Sequence, residues 1–129
     1  MSHLSRIKTC INNEFILKQT LIELGFNYEN NKHKKQEKSK INTQLFDLII
    51  TINNKDLCEF IWDGYEYSFV ADFQLWNYNI PYEQFLEKIK QKYSYNVIIQ
   101  ESIKQGFINI TNERLQDGSI KLIIQRWNE

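Results

Sequence analysis

The sequence predicts an α+β fold of two layers, a mainly antiparallel sheet with helices on one face. Three observations point there. Several short segments alternate apolar and polar residues with period two, two longer ones repeat at helical spacing, and turn-forming residues separate consecutive strands, which favours hairpins over parallel crossovers. At 129 residues the chain fits one domain, and 42% hydrophobic, 14% aromatic and 25% charged residues are ordinary globular usage.

Residues 3 to 11 read as a first strand, in which Ile7, Thr9 and Ile11 alternate with Arg6, Lys8 and Cys10. Asn12 or Asn13 then offers a side-chain oxygen to the free amides of a first helical turn. Leu17, Leu21 and Leu24 share one face of that helix, and Glu14 stands four residues before Lys18. Gly25 stops it, because a left-handed cap suits glycine. Phe26 to Tyr28 begin a short strand.

Residues 29 to 42 form a polar run without periodicity and predict a mobile, lysine-rich loop. Thr43 to Ile52 restores a strand, with Phe46, Leu48, Ile50 and Ile52 on one side. Asn53-Asn54-Lys55-Asp56 is a turn. Leu57 to Trp62 and Tyr65 to Phe73 follow as a hairpin across Asp63-Gly64. Tyr65, Tyr67, Phe69, Ala71 and Phe73 share one face there, and Glu66, Ser68, Val70 and Asp72 share the other.

Pro81 fits the first position of a helix, where its missing donor costs nothing. Tyr82, Phe85, Leu86, Ile89 and Tyr93 give that helix its apolar stripe, and Ser94 to Gln105 extends it or forms a second helix. Phe107 to Thr111 and Ile120 to Trp127 are strands joined through Gln116-Asp117-Gly118-Ser119. Ile22 to Asn27 and Ile103 to Ile108 share a helix end, a glycine and an aromatic residue. The echo leaves open two strand-helix-strand-strand units or a shared way of stopping helices.

Sixteen basic residues balance sixteen acidic ones, which argues against a wholesale polyanion binder or membrane-surface protein and leaves room for a local patch. Ile, Asn and Lys supply 46 residues, Lys outnumbers Arg thirteen to three, and Ala occurs once. That bias is the mark of an AT-rich genome, so much of the Lys and Asn carries no chemistry. Cys10 and Cys58 lie far apart without metal-ligand spacing, so no metal or cofactor is expected, and each is read as a small buried hydrophobe. No stretch is long and apolar enough to insert in a membrane, and the first residues lack the pattern of a secretory signal or transit peptide.

Nine rings between Phe60 and Tyr82 are the most unusual feature. Rings on an open sheet face can stack nucleobases, but Tyr65, Tyr67 and Phe69 alternate with polar residues and are read as core. Trp76 and Tyr78 fall in a loop, where such side chains anchor partners. Lys32, Lys34, Lys35, Lys38 and Lys40 could contact phosphates, although no arginine accompanies them and a solvated loop is the simpler reading. Asp72 is placed to bind backbone amides at its strand exit. His3, Asp72 and Arg126 are the remaining polar candidates. No catalytic constellation, phosphate cradle or nucleophile elbow stands out.

The segments Met1 to Thr9, Trp62-Asp63-Gly64-Tyr65-Glu66-Tyr67, Val70 to Trp76, Asp117 to Leu122 and Gln125-Arg126-Trp127 together resemble the hypothetical chloroplast reading frame thirty-five family of algal plastids and cyanobacteria. The resemblance spans essentially the whole chain except the loop at 29 to 42. It implies a protein of the chloroplast stroma, assigns no reaction or cofactor, and hints at a ferredoxin-type partner. The resulting expectation is a non-catalytic binding or accessory module. It would hold a plastid protein through Trp76 and Tyr78, with His3, Arg126 and Asp72 beside them. The alternative is an RNA-binding protein using the lysine loop and exposed aromatics; an enzyme comes third.

Overall fold

The computed structural model describes residues 4–31 and 47–126. In chain order the elements are β1 (Leu4–Ile11), α1 (Glu14–Glu23), β2 (Asn27–Asn31), β3 (Asp47–Ile52), β4 (Lys55–Trp62), β5 (Tyr67–Asp72), α2 (Tyr82–Lys104), β6 (Phe107–Arg114) and β7 (Ile120–Arg126). They fall into two compact units, Met1–Tyr93 and Ser94–Glu129.

In the first unit five antiparallel strands lie in the order β1-β5-β4-β3-β2. The expected two-layer α+β plate is what forms. Register places Leu48 opposite Phe60, Phe60 opposite Phe69, and Ile50 opposite Cys58, so these side chains share one face. All five are at most 3% exposed. Over them pack Ile16, Leu17 and Leu21 of α1 and Phe85, Leu86 and Ile89 of α2, each buried, with the Phe69 and Phe85 rings 6.2 Å apart. Burying such side chains is worth about 1.5 to 3 kcal/mol each.

α1 starts where Asn13 Oδ1 accepts the Ile16 amide at 3.0 Å. It ends in a Schellman motif, the Gly25 amide donating to Ile22 and the Phe26 amide to Leu21, with Gly25 at φ +88°. The Tyr93 hydroxyl accepts from the Asn12 and Asn13 amides at 3.3 and 3.1 Å, tying the entrance of α1 to α2. Glu14 and Lys18 pair at 3.0 Å along α1.

Several expectations are corrected. Glu29–Asn31, read as the beginning of the polar loop, continue β2, because an edge strand is fixed by pairing with β3 and need not bury its side chains. Residues 32 to 42 of that loop lie outside the described residues. Cys10 is exposed, not buried. The alternation directs it outward, and a bulge between Lys8 and Ile11 gives it φ +66°. Tyr65 is 85% exposed. β5 begins only at Tyr67, and Asp63 Oδ1 accepts the Tyr65 and Glu66 amides, folding residues 63 to 66 into a turn outside the core. Cys58, by contrast, is buried as expected.

In the second unit the helix runs on from Ser94 without a break, so α2 is one helix of 23 residues. Gly106, at φ +91°, donates to Ile103, the same bond that Gly25 makes to Ile22. β6 and β7 form a two-stranded antiparallel sheet of their own. The strand-helix-strand-strand order thus occurs at β1-α1-β2-β3 and at β5-α2-β6-β7. The pairing differs between the two, and the shared sequence element is the glycine stop.

Candidate functional site

At one end of the five-stranded sheet β4 and β5 part company. Their ladder runs from Trp62 opposite Tyr67 to Glu59 opposite Val70 and goes no further. β4 nevertheless begins at Lys55, paired only with β3, and β5 continues to Asp72, paired only with β1. The cause is local. Between Ile50 and Thr51 the β3–β4 register skips Leu57, and such an extra residue bends its strand away from the neighbour. The β3–β4 connection adds to this, since Asn53 and Asn54 at φ +55° and +65° make the two-residue turn that suits strongly twisted strands.

The fork opens a cleft of about 450 Å³ lined by Ile52, Asn53, Lys55, Asp56, Leu57, Asp72, Leu75 and Asn77. Its third wall is the loop between β5 and α2. Asp72 Oδ1 accepts the Gln74 and Leu75 amides at 3.1 and 3.2 Å, which is the strand-exit role its sequence context suggests. The loop therefore leaves the sheet at a fixed angle, with Leu75 74% exposed at the lip of the cleft. Among the described residues, the side chains of Asn53, Lys55, Asp56 and Asn77 make no hydrogen bond or ion pair.

Trp76 and Tyr78 occupy that loop as expected, but both are half-buried. The Trp76 indole N–H donates to the Ile80 carbonyl at 2.8 Å, and its ring lies edge-on to Phe85 at 5.2 Å. Tyr78 stands 5.5 Å from Phe85 and 6.2 Å from Phe26. Behind them Phe73 stacks on Tyr82 at 3.8 Å with the planes 3° apart. These rings brace the loop against α2. The structure thus brings Trp76, Tyr78 and Asp72 into one region.

His3 and Lys32, Lys34, Lys35, Lys38 and Lys40 lie outside the described residues. Arg126 is placed by its backbone, opposite Phe107 at the end of β7, in the second unit. Sequence reasoning missed Asn53, Lys55, Asp56, Leu75 and Asn77 as site residues. Asn53-Asn54 announced the turn, but nothing in the pattern announced the skipped Leu57 that opens the fork.

Two buried groups in the sheet, Cys58 and Tyr67, are held in their neutral forms. Burial, reinforced by Glu59, pushes the Cys58 thiol far above its ordinary range, so it stays neutral. Burial also raises the Tyr67 hydroxyl, and the Glu14 carboxylate adds to that. Among the described residues no group of three or more His, Cys, Asp and Glu side chains could hold a metal ion, and no helix is long and apolar enough to cross a membrane.

Fold and cleft together define a two-layer α+β protein with a mixed polar and apolar cleft at the open end of its sheet. A family described as "Protein of unknown function (DUF1257)" matches residues 20–123. The chain is 41% identical over 129 residues to the "Uncharacterized protein ycf35" of Pyropia yezoensis, covering 99% of each chain. It is 37% identical over 128 residues to the protein of that name in Guillardia theta, and 35% identical over 127 residues to that of Cyanophora paradoxa, each covering 98% of both chains. The chain belongs to this family of hypothetical chloroplast reading frames and is a chloroplast protein. No solved structure matches it.

Proposed function

We propose that the protein is a non-catalytic binding module of the chloroplast stroma that docks a protein partner on the loop between β5 and α2. The observation that supports this reading is the contrast within five residues of that loop. Trp76 spends its indole N–H on Ile80 and sets its ring edge-to-face against Phe85 of α2, while neighbouring Leu75 stays 74% exposed beside a cleft with uncommitted polar groups. A rigidly braced loop presenting an apolar tip loses little conformational entropy on association. The residue proposed to touch the partner is therefore Leu75, with Trp76 and Tyr78 holding it in position.

The RNA-binding alternative draws less support. Phe60, Tyr67 and Phe69, the sheet rings that could have stacked bases, are fully buried beneath the helices. The test is affinity capture from plastid extract with the wild-type chain, Leu75→Asp, and Tyr65→Ser as a control at an exposed ring elsewhere. One stoichiometric protein should be held by the wild type and by Tyr65→Ser and lost with Leu75→Asp, while circular dichroism is unchanged in all three. Retention by Leu75→Asp would remove the loop from the reading. A salt-sensitive shift of oligoribonucleotides would favour the alternative.

A further inference from the structure

We infer that the cleft between β4 and β5 receives the main chain of an extended segment of the docked partner, which pairs with β4 at Leu57. This deepens the docking reading and rests on it. The phase of the β4–β5 ladder fixes where the peptide groups of Leu57 point. The Asp63 amide donates to the Glu66 carbonyl at 3.1 Å. In an antiparallel pair every second opposed couple exchanges hydrogen bonds, so Ile61 with Ser68 and Glu59 with Val70 follow, and Leu57 with Asp72 would be next. That couple does not form. The Asp72 carbonyl accepts the Leu75 amide at 3.1 Å instead, its Oδ1 accepts the Gln74 and Leu75 amides, and the chain turns out of the sheet.

On the other side of β4 the β3 register passes from Cys58 to Asp56 and skips Leu57. Among the described residues the main chain of Leu57 therefore has no ladder partner on either side. The residue is half-buried, and a peptide donor and acceptor so placed call for a partner. Leu57 and Asp72, the couple that fails to pair, both line the cleft. An unpaired stretch of strand is a template for a further extended chain. Ile52, Leu57 and Leu75 offer apolar contact to the side chains of such a segment, and the uncommitted amides of Asn53 and Asn77 can bond its flanking peptide groups. Lys55 and Asp56 carry opposite charges in the same lining, so the cleft reads the backbone of its occupant rather than its charge. The volume of about 450 Å³ suits a short extended segment and is small for a folded element.

The probe is acetyl-Ala-Val-Ala N-methylamide, titrated into the ¹⁵N-labelled full chain. Its counterpart, N-methylated at all three residues, keeps the side chains and lacks their peptide donors. Saturable amide shifts are expected at residues 52–57 and 72–77, with a Kd on the order of 1 mM for so short a segment. The methylated peptide should bind at least about fivefold more weakly, the worth of one hydrogen bond. Hydrogen exchange reads the pairing itself. In the free protein the Leu57 amide should exchange faster than that of Glu59, which sits in the ladder, and probe at about ten times its Kd should slow it about tenfold. Added salt should alter binding less than about twofold. Leu75→Ser, at an exposed position, should weaken binding without disturbing the core. Equal binding of the two peptides, a Leu57 amide already protected in the free protein, or no slowing at saturation would overturn the inference. Protection of Leu57 that rises with protein concentration alone would give the cleft to a second copy of this chain and overturn it too. Partner capture that depends on Leu75, with no slowing of Leu57 by the probe, sinks the main-chain pairing and leaves docking intact. Slowing of Leu57 by the probe with no Leu75-dependent partner sinks the docking reading instead.

Discussion

Removing the Trp76 side chain separates a ring that braces the loop from a ring that waits for a partner. Its neighbours are Phe85 at 5.2 Å, Tyr82 at 6.2 Å, Phe69 at 6.3 Å and Tyr78 at 6.5 Å, and its N–H is 2.8 Å from the Ile80 carbonyl oxygen. A fully buried aromatic cut to alanine costs about 3 to 5 kcal/mol. Half-burial scales the loss to about 2 to 3 kcal/mol, the bond to Ile80 included. Trp76→Phe keeps most ring contacts and forfeits the hydrogen bond, about 1 kcal/mol. With a urea slope of about 1 to 3 kcal/mol per molar, Trp76→Ala should lower the unfolding midpoint by about 1 M or more. Trp76→Phe should lower it less than half as far. The measurement is urea unfolding followed by far-ultraviolet circular dichroism, which does not rely on the deleted fluorophore. A freely exposed ring would change stability by no more than about 0.5 kcal/mol. An unchanged midpoint for Trp76→Ala would therefore refute the bracing role and return Trp76 to the contact surface.

Two further outcomes follow from single groups. Native protein should react with a thiol reagent at Cys10 alone, and at both cysteines in denaturant, because Cys10 is exposed while Cys58 is buried with its thiol held neutral. Two fast thiols in the native state would contradict the placement of β4. At acid pH, Asp63 should contribute to the loss of stability. The Glu66 and Tyr65 amides hold its carboxyl below the ordinary aspartate value of 3.8, so its contribution is present above that pH and disappears as pH falls through the lower folded value. Asp63→Ala should flatten this part of the stability profile below about pH 4, measured by thermal melts across pH. An acid limb identical to wild type would show that the turn bonds are not formed in solution.

Much of the fold was legible in the chain because local rules and global packing agree here. Asn13 capped its helix, Gly25 and Gly106 stopped theirs, and the alternation of Tyr67, Phe69 and Ala71 with Ser68 and Val70 set which face of β5 met the helices. The failures were equally physical. Tyr65 fits the alternation yet lies in the turn, since Asp63 captures the amides that would have extended β5. Cys10 is hydrophobic by type, but its strand position faces water.

Helix starts and stops, the position of the β4–β5 hairpin and the face that Tyr67 and Phe69 share were legible from the residues alone, because each depends on residues within a few positions of one another. Only tertiary structure decided where the site lies. The skipped Leu57, the early end of the β4–β5 ladder and the bracing of Trp76 against Phe85 are set by pairing and packing between segments distant in the chain. The side chains that meet at the cleft, from Ile52 to Asn77, carry no periodicity that records their meeting.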